Sequence, residues 1–315
     1  MISLRYHIVS IAAVFLALAI GVVLGSTALN GSLLSGLADQ KGELGEQVAT
    51  LEAERNQLNA QLDGADAFAG AVGDMAVRGQ LDKRTVALVT TPDAKPTERD
   101  ALTELIEKAG GEVNGEVQLT DAFTDTNKTD QLREIVTQSL PSGAQLPTAS
   151  DPGTLAGGLM SSLVLLNKDN NERQASANES TAALSALAEG GFIKESEGVR
   201  PAQLAVVLTG GKMTGDAAAD QASTIARFAA QLDRGGAGTV LAGGAGSAEG
   251  TGPVGVARAD TAATSILSTV DNVHTASGRV STVLALVEQL EGEVGRYGVA
   301  GNAEAPAPGV ESDNP

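Results

Sequence analysis

Three residues near the C-terminal end of the chain are of the types used in nucleophilic catalysis. Asp271, His274 and Ser277 follow one another at intervals of three residues, and side chains of these types form the proton relay of serine hydrolases when a fold brings them into contact. That relay is defined by spatial geometry rather than by closeness in sequence, and no nucleophile-elbow motif accompanies the three residues. We therefore interpret His274 as a surface or strand-end histidine, and we expect no catalytic residues and no enzymatic activity.

Two glycine-rich turns contain backbone N–H groups of the kind that hold phosphate. Thr209-Gly210-Gly211-Lys212 and Gly243-Gly244-Ala245-Gly246 each follow a short apolar run, and anion-binding loops lie at such positions in α/β proteins. Neither turn has the spacing of the dinucleotide-binding motif or of the P-loop. We interpret both as turns at strand ends and predict no cofactor.

Residues that bind transition metals are few and widely separated. The chain has no Cys and only two His, His7 and His274. Its four Met are Met1, Met75, Met160 and Met213. A copper pathway would use Cys, Met or clustered His as ligands, and no spacing of acidic residues resembles a calcium-binding loop. The sequence therefore predicts no metal site.

The chain is strongly acidic. It has 21 basic and 39 acidic residues among 315, which gives a formal net charge of -18. Such a charge repels a polyanion, so nucleic-acid binding is excluded. The absence of Cys also excludes disulfide bonds.

The start of the chain has the composition of a membrane-spanning helix. Residues 8–29 carry no charged side chain, and a helix of that length is about 33 Å long, enough to cross the hydrocarbon core of a bilayer. Because Arg5 precedes this run, we expect residues 1–7 to stay in the cytoplasm and the rest of the chain to be exported. We therefore expect the chain to cross the plasma membrane once, with most of its residues in a periplasm-like space. A cleaved signal ending at Ser26-Thr27-Ala28 remains an alternative.

A heptad pattern follows the apolar run and predicts a coiled coil over residues 30–64. Leucines recur at seven-residue intervals as d positions, and a second set of residues occupies the a positions. These eight candidate partner-binding residues are Leu37, Lys41, Leu44, Val48, Leu51, Arg55, Leu58 and Leu62. We expect a parallel coiled-coil stalk that binds a second coiled-coil membrane protein or a second copy of the chain. The alternative is an amphipathic helix that lies on its own globular domain.

Alternating apolar strands and helices fill most of the remaining chain. After a connecting helix at residues 65–83, the pattern predicts a Rossmann-like, mostly parallel α/β domain over residues 84–302. The predicted strands are residues 84–90, 112–119, 203–209, 239–242 and 265–273. The predicted helices are residues 97–109, with Thr97 as the N-terminal cap, and residues 127–140, 155–166, 180–188, 217–232 and 278–290. Residues 303–315 are rich in Pro and acidic residues and are predicted to be a disordered tail.

Both ends of the chain contain motifs typical of one protein family. At the N-terminus these are Met1-Ile2-Ser3-Leu4-Arg5-Tyr6-His7, Ala12–Ala19 and Gly21–Gly25. At the C-terminal end they are Ser268–Val273, Gly278-Arg279, Ala285-Leu286 and Gly295–Gly298. With these motifs the chain resembles the actinobacterial MctB family. The order of anchor, coiled coil, α/β domain and acidic tail also matches, so the resemblance covers nearly the whole chain. The middle of the chain is only generically similar.

The resemblance implies two different functions. The family is named for copper transport, described as an outer-membrane channel that limits periplasmic copper. Corynebacterial members of the SteB type act with a SteA partner in cell separation and in regulating peptidoglycan hydrolysis. The scarcity of copper ligands favours the second function, in which the chain is a scaffold or regulator that contacts cell-wall hydrolase machinery. A degenerate enzyme that binds an unidentified small molecule is a further possibility.

Overall fold

The computed structural model describes residues 4–149, 151–196 and 198–310 and leaves the side chains of residues 27–39 undescribed. The chain divides into two compact units, Met1–Ala65 and Asp66–Pro315. The long helix α1 (Leu4–Val77) supplies the whole described part of the first unit, and its last turns belong to the second.

The first unit contains the apolar segment expected from the sequence. Residues Leu4–Ser26 of α1 have a mean hydropathy of 2.8 over 23 residues, and the described large apolar side chains of this segment are exposed. Among the described residues, this is the one helix long and apolar enough to cross a membrane.

The second unit is built on a parallel sheet, which confirms the predicted fold class. The described residues form six strands in the order β2-β1-β3-β4-β5-β6, and every neighbouring pair is parallel. The strands are β1 (Thr85–Thr90), β2 (Glu112–Gln118), β3 (Leu204–Thr209), β4 (Gly238–Gly243), β5 (Ser268–Val270) and β6 (Arg296–Tyr297). This order differs from the 3-2-1-4-5-6 order of the dinucleotide-binding Rossmann sheet.

Helices cover both faces of this sheet. They are α2 (Pro96–Lys108), α3 (Thr129–Gln138), α4 (Pro152–Val164), α5 (Ala177–Glu189), α6 (Ala218–Gly235), α7 (Pro253–Ala259), α8 (Thr261–Thr264) and α9 (Ala276–Glu291). Two short 3-10 turns, Asp121–Thr124 and Thr126–Lys128, follow β2.

Alternate strand residues enter two separate apolar cores. Val86 and Leu88 belong to the core under α2 and α9, whereas Ala87 and Val89 face the core under α4 and α6. Because side chains alternate across a strand, a strand buried on both faces reads as a continuous apolar run. That is why the strands were visible in the sequence.

The last turns of α1 dock on the α/β domain within the second unit. The Asp66 carboxylate accepts a hydrogen bond of 2.6 Å from the Ala276 N–H at the start of α9, and Asp74 pairs with Lys108 of α2 at 2.9 Å. A Cβ at Gly73 would overlap Val280 of α9, so glycine permits this close approach.

Four details differ from the sequence prediction. The connecting helix predicted over residues 65–83 ends at Val77, and residues 78–83 form turns. Thr97 is not the cap of α2, because Pro96 occupies the first helical turn and Lys95 takes the cap position without a side-chain hydrogen bond. β5 is only three residues long, and β6, α7 and α8 were not predicted.

The predicted disorder of residues 303–310 is also wrong. Gly298 donates its N–H to Ala305 at 3.0 Å, and Glu304 donates to Arg296 at 2.8 Å. The Pro306 carbonyl accepts a further hydrogen bond from Ser281. Residues 311–315 of the predicted tail lie outside the described residues.

Candidate functional site

The strand order creates a crevice at the carboxyl edge of the sheet. The chain passes from β1 outward to β2, then crosses to the other side of β1 to form β3 and β4. The loops after β1 and β3 therefore leave the sheet in opposite directions, and ligands of open α/β sheets bind at such a switch point.

A cavity of about 260 Å³ lies at this position. Its polar lining includes Asp93 and Asp121, Lys212, several threonines and Gln221. Its apolar wall is formed by Leu119, Phe123, Met213 and Ile225. The arrangement combines carboxylates, an ammonium group and hydroxyls around a small apolar surface.

The turn after β3 lies against the loops that follow β1 and β4. A Cβ at Gly210 would lie 2.6 Å from the backbone carbonyl oxygen of Asp93, so glycine permits this close approach. The Gly244 N–H donates to the Thr209 and Gly210 carbonyls at 3.1 and 2.9 Å. This N–H group is therefore not available to a phosphate.

Other groups of the same turn keep unused hydrogen-bonding capacity. In the part of the chain that the structure describes, the backbone N–H groups of Gly210, Gly211 and Lys212 have no acceptor. The Lys212 ammonium pairs with Glu249 at 2.9 Å, and about half of each side chain is exposed.

The structure does not assemble Asp271, His274 and Ser277 into a catalytic relay. The Asp271 carboxylate pairs with Arg258 at 2.7 Å, and both side chains are 2% exposed. It also accepts a hydrogen bond of 2.8 Å from the Val299 N–H. Ser277 Oγ lies 3.0 Å from Thr275 Oγ1, and the described hydrogen bonds do not join these side chains to that of His274.

His274 lines a second cavity, of about 500 Å³, at the carboxyl ends of β4 and β5. The wall is formed largely by small residues of the loops after β4 and β6, with Glu249 at one side. His274 itself is exposed.

The metal-binding residue types remain apart in the structure. Within the described ranges, no group of three or more His, Asp or Glu residues is close enough to hold a metal ion. Met160 is buried in α4, whereas Met75 is exposed on α1 and Met213 is partly buried after β3. His7 lies on the apolar segment of α1.

The predicted partner-binding residues lie on α1. Those with described side chains are exposed, and the apolar members Leu44, Val48, Leu51, Leu58 and Leu62 are each 52–67% exposed. Leu37 lies outside the residues with described side chains. Lys41 and Arg55 are exposed on the same helix, and Arg55 makes a long hydrogen bond of 3.5 Å to Asn56.

The sequence interpretation did not identify the switch-point cavity. Asp93 and Asp121 were not singled out, and Lys212 was considered only as part of a glycine-rich turn. The signal was present, because these residues directly follow the predicted strands ending at residues 90, 119 and 209. Finding it required the strand order, which short apolar runs do not specify.

Comparison with known proteins gives matches over almost the whole chain. Residues 1–308 match the family described as "Copper transport outer membrane protein, MctB". Proteins named "Copper transporter MctB" from Mycobacterium tuberculosis and Mycobacterium bovis are 40% identical over 308 residues, which are 96% of this chain and 98% of each relative. The protein of that name from Mycobacterium leprae is 41% identical over 311 residues, with the same shares covered.

Proposed function

Because this chain belongs to the MctB family, we propose that it is a membrane-anchored envelope protein that works without enzymatic chemistry, as a coiled-coil scaffold or regulator. It acts in cell separation and in the control of peptidoglycan hydrolysis. Residues 8–29 anchor it in the plasma membrane, crossed once, and the bulk of the chain lies in the periplasm-like space.

The observation that carries this proposal is the apolar stripe on α1. Leucines at a seven-residue interval with exposed side chains, as at Leu44, Leu51 and Leu58, match the d positions of a coiled coil. Exposed apolar side chains arranged in a stripe are the usual mark of a binding surface. The partner is a second coiled-coil membrane protein, SteA-like, or a second copy of this chain.

A double substitution tests the stripe. Leu44→Ala with Leu51→Ala removes two core layers, and each such truncation in a packed interface costs about 2–5 kcal/mol. We expect partner capture from detergent-solubilised envelopes to be abolished, and cells with this variant to show the separation defect of a deletion.

Glu46→Ala with Gln57→Ala is the matched control, because these residues lie outside the a and d positions of the same helix. The control should keep partner capture and normal separation. A double leucine variant that is stable, exported and fully competent in separation would show that the stalk is only a spacer.

The anchor has its own test. Sequencing the N-terminus of the protein purified from membranes should give a chain that begins at or near Met1, and a C-terminal reporter should be active outside the cytoplasm. A chain that begins at Leu29 would show a cleaved signal and would contradict the anchored topology.

Copper transport is the second candidate function, favoured by the family description and by the names of the mycobacterial relatives. A deletion strain separates the two candidates if copper content, copper sensitivity and chaining are scored in the same cultures. Copper accumulation without chaining would favour transport, and chaining at normal copper content would favour the scaffold.

A further inference from the structure

We propose that the switch-point cavity between the loops after β1, β2 and β3 binds a small zwitterion of the α-amino-acid type. This activity is separate from the partner binding proposed for α1.

The position of the cavity is the first argument. It lies outside the carboxyl ends of adjacent parallel strands, at the point where strand order reverses, which is where doubly wound sheets bind ligands. The lining residues come from three separate loops and from α6. The glycine at position 210 lets two of these loops meet closely beside Asp93.

The charges of the lining give the class of ligand. Asp93 and Asp121 are both exposed at the mouth of the cavity. Asp93 Oδ1 accepts a hydrogen bond from Thr91 Oγ1, and the described residues offer no hydrogen-bond donor to Asp93 Oδ2 or to the Asp121 carboxylate. Two carboxylates with free acceptor capacity suit an ammonium group.

Lys212 supplies the opposite charge. Its ammonium is paired only with Glu249 in the described structure, and an exposed ion pair of this kind contributes about 0–1 kcal/mol. Exchanging Glu249 for a ligand carboxylate therefore costs little.

The volume and the apolar wall limit the body of the ligand. A cavity of about 260 Å³ is too small for a nucleotide. Leu119, Phe123 and Ile225 line the cavity but are almost completely buried, so little apolar surface is open to a ligand. The wall therefore favours a ligand with a small side chain, such as a methyl group.

Titration calorimetry on the full-length protein in detergent tests the proposal with small probes. Both L-alanine and D-alanine are used, beside propionate, which lacks the ammonium group, and ethylamine, which lacks the carboxylate. We expect saturable binding of at least one alanine enantiomer and about tenfold weaker binding of propionate and ethylamine, because each loses a charged hydrogen bond. A peptide source is examined with dialanine, in which the two charges are farther apart.

Variants locate the site. Asp93→Asn, Asp121→Asn and Lys212→Met should each weaken binding about tenfold, whereas Asp169→Asn and Lys194→Met, on exposed residues outside the lining, should not. Because Asp93 also accepts from Thr91, the Lys212 and Asp121 variants keep the test valid if Asp93→Asn fails to fold.

Each outcome has one meaning. Binding of alanine assigns a free amino acid, and binding of dialanine alone assigns the end of a peptide. Absence of binding by all zwitterions, equal binding of propionate or ethylamine, or unchanged binding in the Lys212 and Asp121 variants would overturn the proposal. The double Leu44 and Leu51 variant should bind the same probe normally, so failure of this site is distinguishable from failure of the stalk.

Discussion

Arg258 and Asp271 hold the C-terminal segment through a buried network. Besides the ion pair with Asp271, the Arg258 guanidinium donates to Thr269 Oγ1 at 3.0 Å and to the Tyr297 carbonyl at 2.7 Å. It also donates to Asn302 at 2.7 Å. Burial lowers the pKa of Arg258, and the hydrogen bond to Asp271 opposes that shift. These contacts join α7, β5 and β6 and fix the chain as far as Asn302, directly before the segment that the composition marked as disordered.

Arg258→Met should be strongly destabilising. Removing the guanidinium leaves the Asp271 carboxylate buried without its cation, and such a loss costs about 3–5 kcal/mol. Urea unfolding at neutral pH measures the change. Arg227→Met, on an exposed arginine of α6, should change stability by less than about 0.5 kcal/mol. Equal effects of the two substitutions would show that the buried ion pair contributes no more to the free energy of unfolding than an exposed arginine does.

Asp233 makes stability depend on pH. Asp233 is 9% exposed, and the one described hydrogen bond of its carboxylate is accepted from the Thr239 N–H at 2.7 Å. Burial raises the pKa of Asp233 to about 7 from 3.8, although the Thr239 hydrogen bond and the charges of Arg234 and Lys168 lower it. The folded state thus holds this proton more tightly than the unfolded state. Its contribution to stability is full below about pH 4 and is lost as pH rises through about 7.

Asp233→Asn should therefore stabilise the protein at pH 8 and have little effect at pH 4. The neutral amide keeps the acceptor for Thr239 and avoids a buried charge, with a gain on the order of 3 kcal/mol at pH 8. Thermal or urea unfolding at both pH values measures the difference. The control Asp220→Asn, on an exposed residue in the first turn of α6, should change stability by no more than about 1 kcal/mol at either pH. A destabilised Asp233→Asn at pH 8 would contradict the assignment.

At the scale of elements, the sequence predicted the strands and helices in which burial imposes a regular pattern of apolar residues. β3 was predicted within one residue because every residue from Leu204 to Thr209 is buried and apolar or β-branched. α9 was predicted from apolar spacing, and Gly292 ends it in the left-handed conformation. β6 has only two residues, and only one of them, Tyr297, enters the apolar core. So short a strand shows no pattern of apolar residues.

Competing local signals explain the remaining differences. Thr97 is a good capping residue, but Pro96 begins the helix one residue earlier. α7 and α8 are short and rich in Ala, Gly and Thr, so they lack a periodic apolar face. The cavity near Asp93 also escaped prediction, because its residues meet only through the pairing of β1 with β3.

Lys41 and Arg55, at the polar a positions of the proposed stalk, allow two kinds of partner to be distinguished by experiment. Lys41→Glu with Arg55→Glu should weaken a heteromeric complex, because we expect acidic groups on the partner helix to face these residues. A homodimer would exchange one like-charge pair for another and change little. Sedimentation of the purified complex and of the chain alone measures both cases. Unchanged heteromeric binding would exclude a role for these charges, and Lys41→Gln with Arg55→Gln separates loss of charge from its reversal.

At the scale of the whole molecule, three features combine. They are an apolar N-terminal segment, a long helix with an exposed apolar stripe, and an α/β domain with a cavity at its carboxyl edge. The net charge of -18 keeps such a molecule away from other polyanions. Motifs at both ends of the chain were enough to indicate the family. The choice between copper handling and cell separation depends instead on whether the protein binds copper and on which partner it binds.

Copper affinity provides the test at this scale. Cu(I) prefers thiolate and thioether ligands, and Cu(II) prefers clustered imidazoles, but this chain has no Cys. Its three described methionines lie in different elements, Met75 on α1, Met160 in α4 and Met213 after β3. The full-length protein in detergent should therefore bind Cu(I) and Cu(II) no more tightly than an unrelated protein of similar acidity, measured by calorimetry with a competing chelator. One-to-one binding in the submicromolar range, lost in His274→Ala or Met213→Leu, would contradict this expectation and would make direct copper transport the better account of the protein.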